Sequence, residues 1–211
     1  MTTPQDIELV YYDAKGRGQS TRLMLAVAGI PFKDTRLSDD DADALIATGT
    51  LPLGTLPVLK FDGRIVSCQS LNMLRIVAKL SGSLEMKSED ALVGEEILAT
   101  AENFLTFVNL WYDGSEEEKV VYEREIIATG FVYYAKYIDS LLAQHHRQNG
   151  GCSSGPFLAS TMSCVDIYVY AVIDVLQDMI AHAGKLPWEG LTELSALMEA
   201  VAAVPAVKSY P

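Results

Sequence analysis

The sequence is poor in the residues that build disulfide or metal frameworks. Its three cysteines, Cys68, Cys152 and Cys164, are an odd number without ligand spacing, and the three histidines, two of them adjacent at His145 and His146, form no complementary set. A reduced compartment and no structural metal are expected. Basic residues are scarce as well: Lys plus Arg number 16 against 28 Asp plus Glu, a net charge of −12. Nucleic acid is therefore a poor partner, because phosphate binding needs a basic face. No uninterrupted apolar run approaches the roughly 20 residues that cross a bilayer. The opening MTTPQDIELV has neither a basic nor an apolar leader region. A soluble, cytoplasmic chain without membrane insertion is expected.

What is present is ordinary globular material, 211 residues with 49% apolar and 21% charged, enough for one large or two small domains. The charge is uneven. Up to Gly82 there are nine basic and nine acidic residues, which leaves seven basic and nineteen acidic for the remainder of the chain. This break predicts two domains, 1–82 and 83–211.

The first part reads as strand (ELVYY at 8–12), loop (DAKGRG), helix (Leu23, Val27, Ile30), strand (Phe32 to Leu37) and a short acidic helix from Ser38. Two further strands flank Asp62-Gly63, a strong hairpin signal, before a helix carrying Leu71, Leu74 and Ala78. Beyond Ser81-Gly82-Ser83 strand patterns stop. Ile97, Ala101, Phe104, Leu105, Val108 and Trp111 mark a long amphipathic helix, and Glu116 to Glu118 open another that carries Tyr122, Ile126 and Tyr133. The carboxylates on these helices read mainly as solvated surface. Ser163-Cys164-Val165-Asp166 fits a capping box, in which the serine hydroxyl accepts from an early helix N–H and Asp166 reaches back. Its nearly unbroken apolar continuation predicts the buried centre of the second domain.

Five segments then acquire a joint meaning: LVYYDAKGRGQSTRLML at 9–25, GTLPVLKFDG at 54–63, CQSLNMLRIVAKL at 68–80, SCVDIYVYAVIDVL at 163–176 and VAAVPAVKSY at 201–210. In this order they resemble the cytosolic glutathione S-transferases over essentially the whole length, and most the sigma class, which includes glutathione-dependent prostaglandin D synthases. The resemblance implies an α/β plus all-α chain: a thioredoxin-like N-terminal domain, an all-helical C-terminal domain and a homodimer. It implies glutathione as cosubstrate and a hydrophobic electrophile as acceptor.

A thiol with an unperturbed pKa near about 8.5 is only a few per cent thiolate at neutral pH. A donor aimed at the sulfur lowers that pKa. Tyr11 matches the family's catalytic tyrosine. Tyr12 points to the opposite strand face and is the alternative if the register shifts by one. Arg17 matches the arginine of the GRG loop and would bring positive charge near the thiolate. The resemblance implies a cis Leu56-Pro57 bond that offers the Leu56 backbone to the cysteinyl residue, with Thr55 preceding it. Gln69 and Ser70 match the pair for the γ-glutamyl end, although Ser70 alone reads as an N-cap. Asn103 falls where the family has an aspartate that reaches across the dimer, with Glu102 adjacent. Tyr12, Ala14, Phe107, Trp111, Tyr112 and Tyr210 are expected around the acceptor. Reading the chain to Pro211, no tail remains to cover that pocket, and an open one is expected.

There are departures. DDDADALIATG stands where the sigma class usually has Trp-Pro and a lysine for the glycyl end, and Thr55 replaces a Gln, Lys or Arg. Weakened glutathione binding or a different thiol cosubstrate is expected. The competing functions are a glutathione-dependent prostaglandin isomerase and a non-catalytic, crystallin-like ligand carrier.

Overall fold

The computed structural model describes residues 4–148, 156–180 and 185–210; Cys152 lies outside them. Strand β1 (Ile7–Tyr12), helix α1 (Gln19–Val27), strand β2 (Lys33–Leu37), helix α2 (Asp39–Ala47), the hairpin β3 (Val58–Phe61) and β4 (Arg64–Ser67), and helix α3 (Ser70–Ser81) follow in the order read from sequence. The sheet order is β2-β1-β3-β4, with β2 parallel and β3 antiparallel to β1. Alternation along β1 sends Leu9 into a core with Leu23 and Leu74, and Val10 toward Ala42 of α2.

Local chemistry sets the turns. Asp62 and Gly63 both have positive φ, 49° and 77°, as a tight two-residue hairpin requires. The Asp62 carboxylate accepts from the N–H groups of Gln5 and Asp6, each at 3.0 Å. Ser38 caps α2 by accepting from the Asp41 N–H at 3.2 Å.

Glu8 sits opposite Lys33 on β2 and Lys60 on β3. Burial would raise its pKa, but the Thr35 hydroxyl and the two ammonium groups outweigh it and hold the carboxyl at about 2, below the ordinary 4.5. A depressed carboxyl stabilises the fold above its unfolded pKa and loses that contribution as pH falls through the folded one. Glu8→Gln should therefore cost about 1–2 kcal/mol at neutral pH. In urea unfolding, the gap from the parent chain should close as pH falls from about 4.5 toward about 2.

The helical part comprises α4 (Ala91–Asp113), α5 (Glu116–Glu125), α6 (Val132–Gln148), α7 (Cys164–Met179), α8 (Thr192–Ala202) and α9 (Pro205–Lys208). The segment read as one helix through Ile126 instead widens by one turn at Ile126–Phe131. Gly130 lies there against Phe107; a Cβ on it would come within 2.5 Å of that ring. Helix α7 is central, with Ile167, Tyr168, Val169 and Ile173 fully buried. Its capping carboxylate, Asp166, accepts from the Ser163 N–H at 2.7 Å, the Leu158 N–H at 2.9 Å and the Ser163 hydroxyl at 2.8 Å. The serine hydroxyl thus donates to the box. One apolar cluster runs from Leu9 and Leu23 through Phe104 to Val165 and Ile173, so α4 and α7 share a core with the sheet side. No helix among the described residues is long and apolar enough to cross a membrane.

Candidate functional site

At the C-terminal end of β1 the chain turns back over Tyr11. The turn Gly16–Gly18 lies so close that a Cβ on Gly16 would come within 2.5 Å of the phenol oxygen, and one on Gly18 within 2.6 Å of the ring. Glycine is required here for close approach. The Arg17 N–H donates to the Tyr11 hydroxyl oxygen at 3.0 Å. This contact uses a lone pair and leaves the phenolic hydrogen to donate elsewhere. Burial pushes the phenol pKa above 10; the Arg17 N–H and the charges of Arg17 and Arg22 pull the other way, and the neighbouring Tyr112 raises it further. Tyr11 is thereby kept protonated at neutral pH.

Arg22 explains the loop's shape. Wholly buried on α1, it donates to the carbonyls of Tyr12, at 3.0 Å, and Ala14, and pairs with Asp34 at 3.0 Å. Its guanidinium also stands 5.6 Å from the Tyr11 ring centre. A buried cation must be fully paired, and here its partners hold the segment after β1.

Leu56-Pro57 is cis and precedes β3; Leu56 shares an apolar cluster with Tyr11 and with Cys68. Thr55 is exposed beside it. Gln69 is the N-cap of α3, and its N–H donates to the Ser67 hydroxyl at 3.3 Å. Ser70 is the first helical residue and not the cap expected for a serine before an apolar run. It is buried, and its hydroxyl donates to Glu102 at 3.4 Å.

On α4, Asn103 and Glu102 take different places. Asn103 is exposed, and its amide donates to the carbonyls of Ala99 and Thr100 on its own helix. Within this chain Glu102 faces the site: one carboxylate oxygen pairs with Arg17 at 3.1 Å, and the other accepts from Ser70 and from the Tyr168 hydroxyl of α7. Sequence reading noted Glu102 only as a neighbour and did not single out Tyr168. Two signals were available, a carboxylate within an apolar helical stripe and a phenol within an almost unbroken apolar run. Each needs a buried partner.

A family model for the glutathione S-transferase C-terminal domain matches residues 102–211. The chain belongs to the glutathione S-transferase family. The transferase is 26% identical over 208 residues to glutathione S-transferase 3 of Caenorhabditis elegans, covering 96% of this chain and 94% of that one. Hematopoietic prostaglandin D synthase of Gallus gallus is 26% identical over 204 residues, again covering 96% and 94%. The solved prostaglandin synthase D of Nilaparvata lugens shares the fold, with a TM-score of 0.73 at 24% identity over 96% of this chain and 95% of that one.

On the acceptor side the transferase departs from three expectations. At about 100° per residue, Asn109, Tyr112 and Asp113 share the α4 face of Glu102, whereas Phe107 and Trp111 lie on the far side. Phe107 packs on Gly130. Trp111 donates to Glu123 at 3.2 Å and stacks under Lys119, lining a groove of about 790 Å³ against α5 and the widened turn. Tyr210 is also diverted: it stacks on Phe32 and donates to Asp34 at 3.1 Å, which ties the C-terminal segment to β2. Tyr112 remains beside Tyr11, half exposed. Tyr12 and Ala14 are half-buried at the end of β1 and in the segment after it. Burial and the charges of Asp43, Asp39 and Asp113 raise the Tyr12 phenol; burial, Asp178 and Asp39 raise that of Tyr112. Lys15 bridges Asp174 at 2.8 Å and Asp178 at 2.7 Å. Five aspartates thus act on Tyr12, Tyr112 or Lys15, two of them paired with that lysine.

Burial, and then the Asp166 charge, push the Cys164 thiol up to about 11, while Cys68 is half-buried next to Gln69.

Proposed function

We propose that this cytoplasmic, sigma-class-like protein activates the glutathione thiol for attack on hydrophobic electrophiles, with residues 1–82 as the thiol-binding unit and 83–211 as the helical unit that completes the acceptor pocket. The observation that carries the reading is Tyr11: a buried phenol held protonated, its oxygen already accepting from Arg17. It donates to the cysteinyl sulfur and favours the thiolate. The Leu56 backbone offers strand-like pairing to the tripeptide. Gln69 and Ser70, at a positive helix terminus, suit the γ-glutamyl carboxylate, and Asn103, exposed on α4, would reach across the dimer to its ammonium. For the glycyl end, α2 supplies DDDADALIA and no cation, so weak binding is expected by calorimetry at millimolar glutathione.

The aspartates near Tyr12 and Tyr112 favour neutral acceptors. Prostaglandin H2, the substrate of the isomerase alternative, carries a carboxylate, and like charges at a shared opening repel. Neutral arylating compounds meet no such barrier. With glutathione present, turnover of 1-chloro-2,4-dinitrobenzene is expected, with kcat/KM about tenfold above that of a carboxylate-bearing chloronitrobenzene at low salt. Absence of turnover together with absence of binding heat would favour the non-catalytic carrier.

A homodimer is part of the reading. Leu92, Val66, Tyr133 and Tyr137 remain exposed on β4, α4 and α6, a set of apolar side chains that a second copy would cover. Sedimentation at micromolar concentration checks it.

A further inference from the structure

The four residues that meet around Glu102 come from four separate elements. Tyr168 lies on α7, Glu102 on α4, Ser70 at the start of α3, and Arg17 in the turn after β1. Tyr168 has no solvent exposure, and every other side chain around it on α7 is apolar or part of the capping box. A phenol so placed must give its hydrogen to an acceptor within the protein, and half-buried Glu102 is that acceptor. Burial, the Glu102 charge and the hydrogen bond to it all push the Tyr168 pKa far up, so it is a permanent donor at any working pH.

Glu102 divides its oxygens. One takes Tyr168 and Ser70; the other takes the Arg17 guanidinium. An arginine side chain left free samples many rotamers, and a turn containing two glycines has little stiffness of its own. The turn 16–18 is nevertheless the part that must stay in place, because the Arg17 N–H on the Tyr11 oxygen belongs to it.

We infer that Tyr168 and Glu102 are positioning residues for Tyr11: Tyr168 orients the Glu102 carboxylate, Glu102 holds the Arg17 side chain, and the anchored Arg17 keeps its backbone N–H on the phenol that faces the thiol. The inference rests on the thiol-activating role of Tyr11, and it adds that this role depends on a buried phenol of the helical unit. The reach from Tyr168 to Tyr11 passes through hydrogen bonds and one ion pair, each with its own measurable loss.

The test uses Tyr168→Phe, which removes one oxygen and leaves the packing, and Glu102→Gln, which keeps the shape and an acceptor but removes the charge that holds Arg17. In the full-length ligand-free protein, hydrogen exchange at the Arg17 amide is expected to accelerate at least about tenfold in both variants, while Tm moves little. With glutathione bound, the thiolate absorbance near about 240 nm should titrate about half a unit higher, kcat should fall about three- to tenfold, and KM for glutathione should stay within about twofold. Because both changes act through one link, the double variant should be no worse than Glu102→Gln alone. Unchanged Arg17 exchange in Tyr168→Phe overturns the positioning role, and so does a loss of kcat with unaltered Arg17 exchange, which would place Tyr168 in acceptor binding. If the parent chain forms no thiolate, the functional reading fails, and the exchange measurement still decides whether Tyr168 holds the turn.

Discussion

Replacing Tyr11 by phenylalanine is expected to lower kcat/KM for a neutral nitroaromatic acceptor by about 10²-fold, the usual cost of removing one aimed donor from developing or stabilised negative charge. The fold should survive, because only the bond from the Arg17 N–H is lost, at about 1 kcal/mol. The pH profile carries the mechanism. Without the donor, the bound thiol returns toward its ordinary pKa of about 8.5. The rate deficit should therefore be largest at slightly acid pH and shrink above about 9. Tyr12→Phe is the matched control. Its ring stands edge-on to Tyr11 at 5.3 Å but its phenol faces the aspartates of α2, so activity should change less than about threefold. Equal effects from the two variants would remove Tyr11 from its role.

The second large effect is on stability. Asp166→Ala removes the acceptor for two backbone N–H groups and one hydroxyl at a site without solvent exposure. Each buried donor left unpaired costs about 1–3 kcal/mol, and the three together, about 3–9 kcal/mol, are a large part of the roughly 5–15 kcal/mol that holds a domain folded. For a chain of this size they correspond to a fall in Tm of about 10 °C or more. Asp166→Asn keeps one carbonyl acceptor and should lose about half as much. Urea unfolding followed by far-UV circular dichroism measures both, and a change below about 1 kcal/mol for the alanine variant would show that water replaces the carboxylate.

The capping box at Ser163 to Asp166 was legible in sequence because its partners lie three residues apart. The Asp62-Gly63 hairpin and the acidic start of α2 were legible for a similar reason. Tyr11, the Leu56-Pro57 segment and Gln69-Ser70 were reached through resemblance, since no local rule distinguishes a strand-end tyrosine or a helix-opening serine as a binding group. The acceptor side was read least well. Aromatic type drew attention to Phe107, Trp111 and Tyr210, yet the phase of α4 turns the first two toward α5, and Asp34 captures the third.

What the sequence determined by itself is the alternation of strands and helices, the turns and caps, and a division of charge between a neutral first part and an acidic second. These depend on neighbours a few residues apart, which spacing and side-chain chemistry specify directly. Only the tertiary structure decided that Glu102 pairs with Arg17 within this chain, that Arg22 is buried under the loop, and that Tyr168 meets Glu102 across 66 positions of chain. Which side chains of a helix face inward depends on its rotation against α7 and the sheet, and that rotation is set by packing the whole core at once.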